Sequence, residues 1–410
     1  MPTFAAITAC RACGRSPLRP VMSLGRQPLA NALRPEADLG RPEPTYPLDL
    51  AFCPACALVQ ITETVPPEVL FADYAYFSSV ADEAVRRAGE LARRLVADRR
   101  LGPGSLVVEA ASNDGYLLRH YLDAGVPALG VEPAANVAAV ARGRGVPTMD
   151  AFFGPAAAAE IGPRADVVHA HNVLAHVADL GGFVDAIRDT LKPGGLAVVE
   201  TPTVVDLVDT SAFDTIYHEH LCYYSLTSLR SLLAGHGLAV VGVERLAIHG
   251  GSLRVFAMRA AEGPTISEDV GELLEAEDAW GVRRFETYAA LAGRAETLRA
   301  DLLALLADLK ARGLSIAAYG ASAKGSTLLN YCGLGRETLD FVADRGPAKQ
   351  GRYTPGSSLP ILPPSALLDR MPDVTLLLTW NFADEILAQQ AEYRRRGGRF
   401  LVPIPAPRLV

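Results

Sequence analysis

The 410-residue chain lacks several things, and each lack narrows what it can be. No run of about 18 uninterrupted apolar residues occurs, so no membrane span is expected. The apolar-rich segment from Phe183 to Pro202 is broken by Asp185, Arg188, Asp189, Lys192, Pro193 and the Gly194-Gly195 pair. The opening residues, MPTFAAITAC, hold no basic n-region and no long apolar stretch. A signal peptide is therefore not expected, and a cytoplasmic location follows. There is no excess of positive charge: the net charge is −7, which argues against nucleic acid as a partner. Short tandem repeats and low-complexity tails are absent as well. Half the residues are hydrophobic, at 50%, so several cores can be built, and the length suggests about three domains.

Cysteine is scarce, but its placement is informative. Of six cysteines, four stand as Cys10-x2-Cys13 and Cys53-x2-Cys56, within a proline-rich, loop-rich first 70 or so residues. In a reducing compartment such pairs point to metal rather than disulfides. Two knuckles closing on one tetrahedral Zn²⁺ would use four thiolates and leave no open position, so the zinc is expected to be structural. Cys222 and Cys332 stand apart and read as buried inert thiols.

After Tyr74–Ser79 a long helix is expected over about 80–99, its arginines forming a solvated face. From Leu101 the rhythm becomes strand, turn, helix, strand. Short apolar strands are read at 105–110, 128–131, 146–150 and 165–170, and a further strand at 196–201 follows Lys192-Pro-Gly-Gly195. Such alternation implies a parallel sheet with helices on both faces. A helix-forming stretch near 267–312 leads to a second unit of the same kind. That unit reads as strands near 315–319, 339–343, 374–378 and 399–404, with the turn Gly320–Gly325 after the first. The fold class is thus α/β: an N-terminal zinc-binding module over 1–70, a central Rossmann-like domain over 71–258, and a C-terminal Rossmann-like domain over 259–410.

Open α/β sheets bind ligands outside the carboxyl ends of their strands. In the central unit those ends carry Glu109, Glu132-Pro133, Asp150 with Phe152, and His171-Asn172. Glu132 is placed to take ribose hydroxyls and Asp150 an adenine amino group, with Phe152 on the adenine face. The first loop, Glu109-Ala-Ala-Ser-Asn-Asp-Gly115, is poor in glycine: Ala111 and Asn113 stand where a nucleotide loop would carry glycines, and only Gly115 remains. A dinucleotide's pyrophosphate leans on those glycines. S-adenosylmethionine has no pyrophosphate, so the loop, with Asp114 inside it, suits that cofactor better than NAD. Beyond the strand ending at Thr201 lies a dense titratable cluster, Tyr217-His218-Glu219-His220. It lacks the HExxH spacing of a zinc peptidase. Two histidines two apart share a face of a strand but diverge on a helix. A catalytic role for one of them is expected, against the plainer reading of a polar surface loop.

These motifs resemble, over the whole length, the C-methyltransferases of deoxysugar and antibiotic biosynthesis that act on dTDP-linked 4-keto sugars. The resemblance rests on both CxxC pairs, Tyr76-Phe-Ser-Ser79, Ser112-Asn-Asp-Gly115, His171-Asn-Val-Leu-Ala-His176, Tyr217-His-Glu-His220, His249-Gly-Gly-Ser-Leu-Arg254, Gly320–Gly325 and Trp380-Asn-Phe382. It implies a zinc-binding domain, a class I methyl-donor domain, and a C-terminal domain that helps hold the nucleotide sugar. By motif, His220 would be the base, with Tyr76, His176, Tyr217 and Glu219 lining the sugar pocket. A 4-keto group acidifies its neighbouring C–H bonds, and an imidazole can remove such a proton near neutral pH. Glu219 or another carboxylate would orient an imidazole, while His176 or Tyr217 would donate to the enolate oxygen. The diphosphate is expected at Gly320, Ser322 and Lys324, where a helix N-terminus follows a strand. Asn330, Asp344, Lys349, Arg352, Trp380 and Asn381 join the expected substrate-binding set. C-3 methylation is the expectation, with C-5 methylation as the alternative. An NAD-dependent nucleotide-sugar enzyme and a non-catalytic zinc module are further alternatives.

Overall fold

The computed structural model describes residues 4–70, 77–80, 82–247 and 250–410. Tyr76 and His249 lie outside the described residues. The first 70 residues, read from sequence as loop-rich, hold a sheet: Arg19–Gln27, Tyr46–Phe52 and Val59–Ile61 pair antiparallel. Its fourth strand, Cys222–Tyr223, comes from far along the chain and adds to Val59–Ile61. Alternation in Tyr46–Phe52 buries Tyr46, Leu48, Leu50 and Phe52, as a strand with one face against a core requires. Phe52 stacks on Tyr288 with ring centroids 4.8 Å apart, which seats the module on the helix Phe285–Ala311.

The central sheet has seven strands in the order Leu238–Leu246, Ser252–Arg259, Leu191–Pro202, Ala165–His171, Val107–Ala110, Ala128–Val131, Thr148–Met149. The last five are parallel, as the alternating pattern implies. The first two form an antiparallel edge, a correction to the wholly parallel sheet expected. Those two strands follow one another without an intervening helix, so they meet as a hairpin-like pair rather than through a crossover. Lys192-Pro-Gly-Gly195 lies inside a strand and forms its irregularity: Leu191 pairs with Ala165, and regular pairing resumes at Leu196 with Val167. A Cβ at Gly195 would meet the Ala165 carbonyl at 2.9 Å, so glycine permits that close approach.

The long helix runs Asp82–Asp98, and the helix-forming stretch resolves into Glu268–Trp280 and Phe285–Ala311. The C-terminal sheet orders as Ile361–Leu362, Val342–Ala343, Ile316–Tyr319, Val374–Leu377, Arg399–Val402, Arg408–Leu409. All its pairings are parallel except that of the last strand. The fold class is α/β, with the cysteine module first and two open sheets after it. Among the described residues no helix is long and apolar enough to cross a membrane.

The first loop of the central sheet takes the left-handed backbone of a glycine loop although it holds one glycine. Ala111 has φ 53°, Asn113 φ 51° and Gly115 φ 77°. At Gly115 a Cβ would stand 2.7 Å from Val146 Cγ2, so both conformation and space select glycine. Gly115→Ala is expected to cost about 2 kcal/mol, whereas Ala111→Gly relieves strain and gains up to about 1 kcal/mol. Urea denaturation midpoints check both; a neutral Gly115→Ala would show that the loop can rearrange.

Candidate active site and zinc centre

The two cysteine pairs form matching turns. Gly14 N–H bonds the Cys10 carbonyl and Ala57 N–H bonds the Cys53 carbonyl, both at 2.9 Å, with Gly14 at φ 68° and Ala57 at φ 62°. Sγ of Cys10 lies 3.6 Å from Sγ of Cys56, and Cys13 lies 3.6 Å from Cys53. All four sulfurs fall within 4.8 Å of one another. A tetrahedral ion bound at about 2.3 Å would hold its sulfurs about 3.8 Å apart, so the donor set fits Zn²⁺ and leaves no open position. Cys10, Cys53 and Cys56 are buried and Cys13 is exposed.

At the carboxyl ends of the central strands the expected cofactor residues split into two groups. Glu109 is buried with Oε2 unpartnered, and burial, then Glu132 and Glu200, push its carboxyl well above the usual range. Glu132 accepts from Asn113 N–H and from Ala134 N–H, both at 2.9 Å, and so pins the first loop to the second strand. Phe152 is 52% exposed, a free apolar face at the rim. Pro133 is half-buried there, and Asp150 pairs at the surface with Arg142 at 2.6 Å. Asp114, by contrast, is turned into the protein: Arg144 reaches it at 2.8 Å and Ser79 N–H at 3.4 Å. Asn113 Oδ1 accepts from Ser78 N–H at 2.8 Å. The loop thus anchors the segment Phe77–Val80.

His171 Nε2 lies 3.1 Å from His169 Nδ1, and its Nδ1 faces Glu200 Oε1 at 3.9 Å, beyond hydrogen-bond distance. His169 in turn meets Tyr121 Oη at 2.8 Å. Burial lowers the pKa of both imidazoles, His171 to about 3. Asn172 sits at φ 51° with its N–H on the Glu200 carbonyl at 2.8 Å. His169, Tyr121 and Glu200 are absent from the sequence-based site. Tyr121 and His169 carry no motif, and only the sheet register sets His169 beside Glu109.

The cluster 217–220 forms no regular helix or strand, and its side chains diverge. His218 bonds the Pro47 carbonyl at 2.9 Å. Glu219 accepts from Asn31 Nδ2 at 2.7 Å. His220 Nδ1 lies 3.1 Å from the Thr215 carbonyl, and Nε2 lies 2.8 Å from Tyr217 Oη. A carbonyl only accepts, so Nδ1 carries the hydrogen and Nε2 offers its lone pair. The orienting group is therefore a backbone carbonyl and not the carboxylate expected. The His176 ring meets His220 edge-on, centroids 4.9 Å apart, and burial lowers its pKa to about 4. Leu221 N–H bonds the Ala175 carbonyl at 2.7 Å, which ties the cluster to the end of the strand Ala165–His171.

The C-terminal unit meets this cluster from the other side. Fully buried Asp214 accepts from Trp380 Nε1 at 2.7 Å and lies 3.9 Å from Lys324 Nζ. The ammonium stands 4.1 Å over the Trp380 ring, and burial lowers its pKa. Most of the other expected substrate residues brace the turn. Ser322 caps the helix Ala323–Cys332 by accepting from Gly325 N–H at 3.1 Å. Asp344 accepts from Ala321 N–H at 2.7 Å, and Lys349 donates to the Ala321 carbonyl at 2.8 Å. A Cβ on Gly320 would stand 2.5 Å from Thr379 Oγ1. Asn330 bonds the Ser326 and Pro355 carbonyls. Arg352 is exposed, and Asn381 is half-buried beside Trp380.

The chain is 40% identical over 407 residues to C-methyltransferase NovU of Streptomyces niveus, covering 98% of this chain and 97% of that one. It belongs to the C-methyltransferase family. Family models match a zinc binding domain at residues 10–71, a methyltransferase domain at 82–243 and a C-methyltransferase C-terminal domain at 247–405. Solved structures similar to it include magnesium protoporphyrin IX methyltransferase from Synechocystis PCC 6803 with bound S-adenosylmethionine, at TM-score 0.34 and 16% identity, covering 43% of this chain and 79% of that one. The CcbJ methyltransferase from Streptomyces caelestis scores 0.33 at 16% identity, covering 42% and 89%. The chain is an S-adenosylmethionine-dependent C-methyltransferase with a four-cysteine zinc site.

Two predictions follow from this geometry. Cys53→Ser leaves three thiolates and is expected to lower zinc content and folding yield, read by metal analysis; unchanged zinc would reject the four-thiolate assignment. Burial raises the Glu219 carboxyl to about 7. Between the unfolded value near 4.5 and the folded value near 7, the folded chain holds a proton that the unfolded chain has lost, so stability falls as pH rises through that window. Glu219→Gln removes the loss and is expected to gain roughly 3 kcal/mol over wild type on going from pH about 4 to about 8. Parallel wild-type and variant stability curves in urea would contradict it.

Proposed function

We propose that the enzyme methylates C-3 of a dTDP-linked 4-keto deoxysugar, with His220 Nε2 removing the proton next to the ketone. The observation that carries this reading is the His220 tautomer, fixed by the Thr215 carbonyl 3.1 Å from Nδ1. That bond makes Nε2 the basic nitrogen, its lone pair facing Tyr217 Oη at 2.8 Å, on a ring packed against Tyr217 and His176. When Nε2 takes the proton, the imidazolium keeps donating to Thr215 and can donate to the Tyr217 oxygen, so the new donor has a partner. His176 and Tyr217 are candidates to donate to the enolate oxygen, and Glu219, bonded to Asn31, follows in the same segment. Bound S-adenosylmethionine supplies an electrophilic methyl group. Zinc, held by four thiolates, stays structural.

Lys324, above Trp380 and facing Asp214, supplies positive charge at the N-terminus of Ala323–Cys332 for the diphosphate. Ser322, Asp344 and Lys349 keep the turn in shape for it. Within this reading the cradle of Glu109, Ala111, Asn113, Gly115, Glu132, Pro133, Asp150, Phe152, His171 and Asn172 holds the methyl donor, and Asp114 braces it.

The test is deuterium exchange, followed by NMR, on a dTDP-4-keto-deoxysugar with enzyme and S-adenosylhomocysteine. Loss of the C-3 proton signal is expected; exchange at C-5 would move methylation to that carbon. His220→Asn is expected to abolish both exchange and turnover while S-adenosylmethionine binding stays near wild type. Near-normal exchange in that variant would make another group the base.

A further inference from the structure

The zinc module and the segment that carries His220 share one sheet. In it Cys222 stands opposite Gln60 and Tyr223 opposite Val59. Ile61 N–H bonds the Leu221 carbonyl at 3.0 Å. Gln60 is wholly buried, and its carboxamide is used at both ends. Nε2 donates to Cys10 Sγ at 3.3 Å, and Oε1 accepts from Arg11 N–H at 3.0 Å. The Arg11 guanidinium returns to the same strand region, bonding the carbonyls of Ile61 at 3.3 Å and Glu63 at 3.0 Å. One side chain therefore joins a zinc-binding sulfur, the first cysteine turn and the strand partner of a residue two beyond His220.

We propose that Gln60 is a positioning residue for His220, coupling the geometry of the zinc–thiolate cluster to the imidazole through the Gln60–Cys222 strand pair. An N–H on a thiolate sulfur is a charge-assisted bond, and such partners of metal ligands set where those ligands sit. Here the same residue also sets where the neighbouring strand sits. The module reaches the cluster twice more, through Asn31 on Glu219 and the Pro47 carbonyl on His218. A displacement of the cysteine turn is thus passed to the base and not absorbed in a linker. The kinetic part of this inference rests on His220 being the base; the structural part does not.

The test replaces Gln60 by Met, which keeps length and removes both polar ends, in the full-length zinc-loaded enzyme. Three quantities are read: zinc content, the ring-nitrogen NMR signals of His220 (assigned by difference from His220→Asn), and the pH profile of kcat. Gln60→Met is expected to keep zinc and S-adenosylmethionine affinity. It should move the His220 signals, lower kcat about tenfold with little change in KM, and displace the acid limb of the profile. Retained zinc with His220 signals and acid limb at wild-type positions would overturn the proposal. If the variant does not fold, cadmium is exchanged for zinc in the wild-type enzyme. The larger ion expands the thiolate cluster and is expected to move the His220 signals but not those of His236, which pairs with Asp185. Unmoved His220 signals would overturn the proposal. Wild-type enzyme that exchanges no sugar proton would reject the substrate reading alone, because the imidazole signals report the coupling without turnover.

Discussion

The Thr215 carbonyl orders the rest of the cleft. Its bond to His220 Nδ1 fixes the imidazole tautomer, with Nε2 facing Tyr217 Oη, and it does so with a backbone group that cannot titrate or rotate away. The carbonyl is held in turn by what surrounds the short turn Phe213–Thr215. Asp214 is fixed by Trp380 and faces Lys324 of the C-terminal unit. Thr327 of the same unit donates to the Ile216 carbonyl at 3.3 Å. From the opposite side the zinc module takes Cys222–Tyr223 into its sheet. The segment from Phe213 to Tyr223 is therefore gripped by both outer units while belonging in sequence to the central one. No single unit completes the surroundings of His220, which gives a physical reason for three modules in one chain.

The first loop of the central sheet shows a second constraint. Ala111 and Asn113 hold backbone angles that glycine would adopt more cheaply. The strain persists because the loop is fixed from outside: Glu132 takes the Asn113 N–H, Arg144 takes Asp114, and Ser78 and Ser79 bond Asn113 and Asp114. A glycine-rich loop needs conformational freedom to approach a pyrophosphate, whereas this one trades that freedom for anchoring. The acidic residues of the loop consequently have different jobs. Among the described residues Glu109 is buried with no cation paired to it, and Asp114 has one.

What was legible in the sequence follows from how local each signal is. The two CxxC pairs were readable because both ligands of a pair lie in one turn, and the strand ends were readable because apolar runs stop at them. The sheet of the zinc module was not, since its polar face and prolines mask the alternation and its fourth strand lies far along the chain. The antiparallel edge 238–259 was hidden for a related reason: a regular βα rhythm predicts parallel strands until the helices stop. Within the site, His220 and Tyr217 announce themselves by residue type. Thr215 does not, because it acts through its backbone, and Asp214, Asn31 and Gln60 matter only through neighbours distant in sequence. Ser322, Asp344 and Lys349 were visible as members of a phosphate-type turn, yet the structure shows them bracing it, a distinction that needs the partners in view.

Burial gives the lining around His220 a particular electrostatic character. The Glu219 carboxyl is pushed up to about 7 and the His176 imidazole down to about 4, both because water is excluded. Near neutral pH His176 is uncharged and Glu219 is substantially protonated. On the proposed mechanism, an uncharged imidazole and a protonated carboxyl could both donate hydrogen bonds without adding a full negative charge to the site. Asn31 uses one oxygen of Glu219, so the other can carry the proton. On that mechanism, a protonated His176 would compete with His220 for the role of conjugate acid. Desolvation would thus, on the proposed mechanism, leave His176 an uncharged donor and His220 Nε2 the base, its tautomer directed by a carbonyl.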